Sequence, residues 1–220
     1  MQVDCDAHQM LRFVIPAILL LPNATLAQVA ADRADCARST AGQFFFPAGA
    51  LEEPGTDFDD RFTRYWFSKH LRAMSEPSLS CKINAAESYR FLWLRTWGAP
   101  VAVRVDLIGD VATLSAVALD GEGGYEPGVV VKRVERKLSR EEWKAITTGL
   151  DSIAFWNLPA RIHDVGLDGA EWILEGRRGT RYHVVDRWSP DQGAYRDFCL
   201  SLLSAAGMVP TGEGGKAGIY

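Results

Sequence analysis

Residues 90–108, RFLWLRTWGAPVAVRVDLI, decide the fold. In an extended chain successive side chains alternate between faces, so Phe91, Trp93 and Trp97 share one side and Leu92 and Leu94 the other. Apolar residues on both sides mark a strand that is covered on both sides. Gly98-Ala99-Pro100 then turns the chain. Val101, Val103, Val105 and Leu107 alternate with Arg104 and Asp106, the pattern of a half-buried strand paired to the first.

Working outward, Gly109-Asp110 turns the chain into a third strand over 111–119. A loop from Asp120 to Gly128 leads to a fourth over 129–136. On the N-terminal side, Phe58, Phe62, Tyr65, Trp66 and Met74 recur at helical spacing, with Asp57 as the cap and Pro77 beyond the end. On the C-terminal side, Ser139-Arg-Glu-Glu142 is a capping box that opens a helix through Ile153, closed by Leu158-Pro159. Strands over 171–176 and 181–188 form a hairpin about Arg177–Thr180. Ser189-Pro-Asp-Gln192 reads as a second capping box, and Tyr195, Phe198, Cys199 and Leu202 form the stripe of a last helix that ends at Gly207. Strands in blocks, not alternating with helices, predict an α+β fold: an antiparallel meander plus a C-terminal hairpin, packed with about three helices.

The meander, the Phe155–Pro159 stop, the Trp-bearing hairpin and the final helix together resemble a class of small exported bacterial domains of unknown function. The resemblance covers roughly residues 89–205. It implies the fold and brings no active site with it.

The N-terminus predicts export. Met10-Leu-Arg12 is a short basic head, Phe13–Leu21 an apolar core interrupted by Pro16, and Thr25-Leu26-Ala27 a small-residue cleavage site, with Val29-Ala30-Ala31 as a second. That core is far shorter than the roughly 20 residues of a membrane-spanning helix. Residues 1–9 hold two acids where a signal carries basic charge, which favours Met10 over Met1 as the translation start. The chain therefore divides into a cleavable leader at 1–27, an irregular lead-in at 28–56, one α+β domain at 57–207 and a flexible tail at 208–220. A periplasmic or secreted location follows, with no transmembrane segment after cleavage. With 28 acidic and 24 basic side chains the net charge is −4. That balance argues against a nucleic-acid partner.

An oxidising compartment favours a disulfide among Cys36, Cys81 and Cys199. Cys199 sits on the buried stripe of the last helix, so Cys36 pairs with Cys81 on this reading; sequence does not fix connectivity, and three free thiols are the alternative. No signature implies a cofactor or a metal. Gly121-x-Gly-Gly124 lacks the lysine-serine pair of a phosphate loop, and Asp164-x-x-x-Asp168-Gly lacks the alternating oxygens of a calcium loop. No Gly-x-Ser-x-Gly elbow occurs.

Chemistry could lie in the polar cluster from His163 to Trp188. His163, Asp164, Glu171, His183 and Asp186 are the candidate acid–base groups, although His183 and Asp186 point to opposite faces of their strand. For binding, Trp93, Arg95 and Trp97 could form an aromatic and basic strip, with Asp168 and Arg187 as polar contacts. The leading expectation is a binding module for a protein, peptide or envelope glycan. The alternative is a small periplasmic hydrolase that uses the His163–Arg187 cluster.

Overall fold

A computed structural model describes residues 44–53, 55–56, 59–81, 85–162, 166 and 168–209. The expected leader, Cys36, Asp57, Phe58, His163, Asp164 and the last residues of the tail lie outside that set. The α+β class is as expected. Six strands form one antiparallel sheet in the order β4-β3-β2-β1-β5-β6. They are β1 (Glu87–Arg95), β2 (Val101–Ile108), β3 (Val111–Leu119), β4 (Val130–Lys137), β5 (Ala170–Arg178) and β6 (Arg181–Trp188). Among the described residues three α-helices accompany them: α1 (Arg61–Ala73), α2 (Arg140–Ser152) and α3 (Ala194–Ala205). The meander β1–β4 leads through α2 to the hairpin β5–β6, which docks beside β1.

β1 is buried along seven of its nine positions because it is paired on both edges and covered on both faces. Phe91, Trp93, Trp172 and Val185 join α2 and α3 in one core. Leu92, Leu94, Ile173 and Val184 join α1 and Phe46 of the lead-in in the other. The sheet is thus the middle of three layers. Phe46, Leu51 and, at the far end, Met208 are buried, so the packed unit is wider than residues 57–207.

Local signals account for most of the boundaries. Ser139 Oγ accepts from Glu142 N at 3.1 Å, and the Glu142 carboxylate accepts from Ser139 N at 2.8 Å, the reciprocal pair of a capping box. Arg136 and the Ser139 amide both hold the exposed Glu142 carboxyl below its ordinary range. The second expected box does not form. α3 begins only after Gly193, with no side-chain cap, and Ser189 Oγ accepts instead from Ala170 N at 2.8 Å. Ser189 adopts φ +40°, so that serine closes the open end of the hairpin rather than starting a helix.

α1 also differs from the sequence pattern. It starts at Arg61, and the preceding Asp60 accepts from Leu51 N and from Arg64 Nε rather than from its own helix N-terminus. Its buried face is Phe67, Leu71 and neighbours, whereas Phe62 is 71% exposed and Tyr65 is exposed as well. Of the expected stripe, Phe62 and Tyr65 face outward, Trp66 is half-buried and Met74 is buried.

Candidate functional site: an aromatic groove ending in a carboxyl pair

The site is built at the end of the sheet where β1 leaves and β5 enters. Side chains on the α1 side form rows across β1, β5 and β6. Leu94 pairs with Glu171, which pairs with Trp188; one row further in, Leu92 pairs with Ile173, which pairs with Asp186. Glu171 and Asp186 are diagonal neighbours on one face, close enough for side chains to meet. Their carboxyls are close enough to act on each other's ionisation. Above them lies an open groove of about 380 Å³, whose lining includes Phe62, Trp66, Tyr125, Asp168, Glu171 and Trp188.

Two aromatic pairs flank the groove. On α1, Phe62 and Trp66 are four residues apart and stack at 6.0 Å with 20° between their planes. Tyr125 of the 120–128 loop, also in the lining, lies 5.0 Å from Trp97 in the turn after β1. Trp97 is 55% exposed and Tyr125 47%. Trp97 also donates from Nε1 to Asp168 Oδ1 at 3.1 Å.

These walls are tied together before any ligand arrives. Trp66 Nε1 donates to Gly123 O at 3.2 Å, and Lys69 Nζ reaches Tyr125 O and the Glu126 carboxylate. The His70 ring lies between Trp66 O, 3.0 Å from Nδ1, and Glu122 O, 3.5 Å from Nε2, and burial lowers its pKa. Thr96 and Gly169 exchange three hydrogen bonds, backbone and side chain. Gly169 admits no side chain: a Cβ there would lie 2.3 Å from Ser189 Oγ and 2.7 Å from the Trp188 ring.

The electrostatics concentrate at the inner end. Asp186 is 1% exposed and Glu171 retains 18% of its side-chain exposure, on the groove side. Neither Glu171 Oε2 nor either Asp186 oxygen finds a donor among the surrounding N–H and O–H groups. Arg161 stands close but makes no hydrogen bond to either, with Nε 3.6 Å from Asp186 and Nη2 4.0 Å from Glu171; its Nη1 donates to Thr63 on α1. Burial and the neighbouring Asp186 charge hold the Glu171 carboxyl well above the usual range, and burial raises Asp186 too.

Several expected site residues are therefore not assembled. His183 lies on the opposite face, packed on Phe155 and Trp156, with Nε2 at 2.9 Å from Leu158 O. Burial keeps its pKa low. It does not meet Glu171 or Asp186. Trp93 is fully buried against Trp172, so the expected Trp93–Arg95–Trp97 strip does not exist; Arg95 stacks over Trp93 from the sheet end, 4.3 Å from the ring centroid. Arg187 holds the carbonyls of Pro159, Ala160 and Asp186 rather than facing outward. What the fold does bring together is Trp97 with Asp168, and Glu171 with Asp186.

Phe62, Trp66, Tyr125 and Trp188 were not among the expected site residues. The i,i+4 spacing of Phe62 and Trp66 was visible, but nothing in it says which side of α1 is covered. Among the described residues no three His, Cys, Asp or Glu side chains converge as a metal site, and no helix is long and apolar enough to cross a membrane. No protein-family profile matches the chain, and no curated protein matches it well enough to count as a relative.

Proposed function

We propose that this protein is an exported binding module that seats a glycan in the groove between Phe62–Trp66 and Trp97–Tyr125. The carrying observation is the two exposed aromatic pairs, tied to each other by side-chain bonds to the 120–128 loop and lying beside carboxyls. Sugar rings present C–H faces that pack on aromatic rings, and hydroxyls that donate to carboxylates such as Asp168. Monomeric proteins seldom keep such aromatic surface exposed in a polar rim without a use for it. A rigid cleft with a few convergent polar groups is the usual form of a small-ligand site. The periplasmic or secreted location rests on the leader sequence, and an envelope glycan is the ligand that location supplies.

The test is tryptophan fluorescence titration and calorimetry with chitotetraose, cellotetraose and soluble peptidoglycan fragments. Binding to at least one is expected. Trp97→Ala with Tyr125→Ala should weaken it about tenfold or more, since roughly 1.4 kcal/mol of lost stacking is a factor of ten. Absence of binding to every glycan, or equal affinity in the double variant, would remove this reading.

A further inference from the structure

The geometry points to a second role for the same groove: glycoside hydrolysis, with Glu171 as proton donor and Asp168 as the carboxylate that activates water. This inference rests on the glycan reading and adds a reaction to it. Two carboxyls line one groove in opposite surroundings. Glu171 lies between Leu94 and Trp188 across the sheet, with the buried Asp186 behind it. Asp168 stands exposed at the rim, oriented by the Trp97 indole N–H. Glycoside cleavage uses one carboxylic acid and one carboxylate flanking the scissile bond. A fold assigns these roles by burying one group and wetting the other.

Charge around Glu171 supports the assignment. Burial and Asp186 from β6 disfavour its anion, and Arg161 favours it from 4.0 Å. Lys69 of α1 is neutralised by Glu126 at 2.7 Å. Glu171 therefore keeps its proton where an ordinary glutamate has lost it. Asp186 acts through Glu171 and is a positioning residue.

The step balances with water alone. The Glu171 proton passes to the glycosidic oxygen as the bond from that oxygen to the anomeric carbon breaks, its electron pair leaving with the oxygen. Water bonds to the anomeric carbon and gives a proton to Asp168. The products are two shorter saccharides, and solvent returns the proton from Asp168 to Glu171.

The experiment incubates the full mature chain with the oligosaccharides it binds and counts new reducing ends, with binding measured in parallel. Wild type should turn over, and Glu171→Gln and Asp168→Asn should each lose about 10²–10⁴-fold in kcat. Asp186→Asn should shift the alkaline limb of the rate profile to lower pH, because Glu171 then gives up its proton more readily, an effect that simple loss of folding would not produce. Binding without turnover would overturn this inference and leave the binding reading standing. Absence of binding would end both. Turnover unchanged in Asp168→Asn, or in a folded Glu171→Gln, would overturn the assignment of roles.

Discussion

Glu171 and Glu175 lie four residues apart on β5, on the same face of the sheet, and both are desolvated. Glu175 is answered. Arg90, directly opposite on β1, donates to it, and so does Tyr182 at 3.2 Å. Glu76 accepts from both Arg90 and Arg104, and Asp106 from Arg104 and Ser88. Each acid of that cluster has at least two partners, and the cluster clamps the segment after α1 onto the sheet. Glu171 faces a second acid instead, with one arginine out of hydrogen-bonding reach. Burial nevertheless raises Glu175 to about 7. Burial alone thus perturbs both residues, and partners separate them: the satisfied cluster holds structure, and the unsatisfied pair lies where the groove opens.

The largest effect should come from breaking the satisfied cluster. Arg90→Met leaves Glu175 and Glu76 buried without their shared cation, and should cost about 3–5 kcal/mol. The sign of the pH dependence follows from the raised Glu175 value. A carboxyl whose folded pKa lies above its unfolded one contributes stability that is fully present below the unfolded pKa and lost as pH rises through the folded one. The penalty should therefore be smaller at pH 5 than at pH 8 in denaturant melts. Equal penalties at both would show that Glu175 does not titrate in this window.

The register that separates the two acids depends on the opposite face of β5. A Cβ at Gly176 would lie 2.7 Å from both the Phe155 and the Tyr89 rings. Gly176→Ala should cost about 1–3 kcal/mol by overpacking, read by thermal or urea unfolding. An unchanged midpoint would mean that this core yields, and with it the register.

Glu171→Gln sharpens the comparison with a small effect of opposite sign. Removing a carboxyl whose ionisation is disfavoured by burial and Asp186 should leave stability at pH 8 unchanged or raise it by about 1 kcal/mol. The gain should vanish below about pH 4.5, where the carboxyl is protonated in both the folded and unfolded chain. A substantial loss at pH 8 would mean that the pair holds the hairpin together.

The fold was legible where periodicity and burial agree. The apolar run on both faces of Phe91–Leu94 marked a doubly covered strand, and the Ser139 box fixed the start of α2. Legibility failed where a side chain had two possible clients. Ser189 could cap a helix or close a hairpin, and its contact with Ala170, nineteen residues away, decided for the hairpin. Strand parity correctly put His183 and Asp186 on opposite faces. The meeting of Asp186 with Glu171 needed the pairing of β5 with β6, which depends on a turn narrowed to Gly179-Thr180. The groove was illegible for a related reason. Its walls come from α1, the end of β1 and the 120–128 loop, and no local pattern states that these converge.

The most direct test is a carboxyl-carbon NMR titration of wild type and Asp186→Asn. Glu171 should stay protonated well past the normal glutamate range in wild type and titrate at lower pH in the variant, while Glu175 titrates near 7 in both. A wild-type Glu171 that ionises like an exposed glutamate would contradict the account.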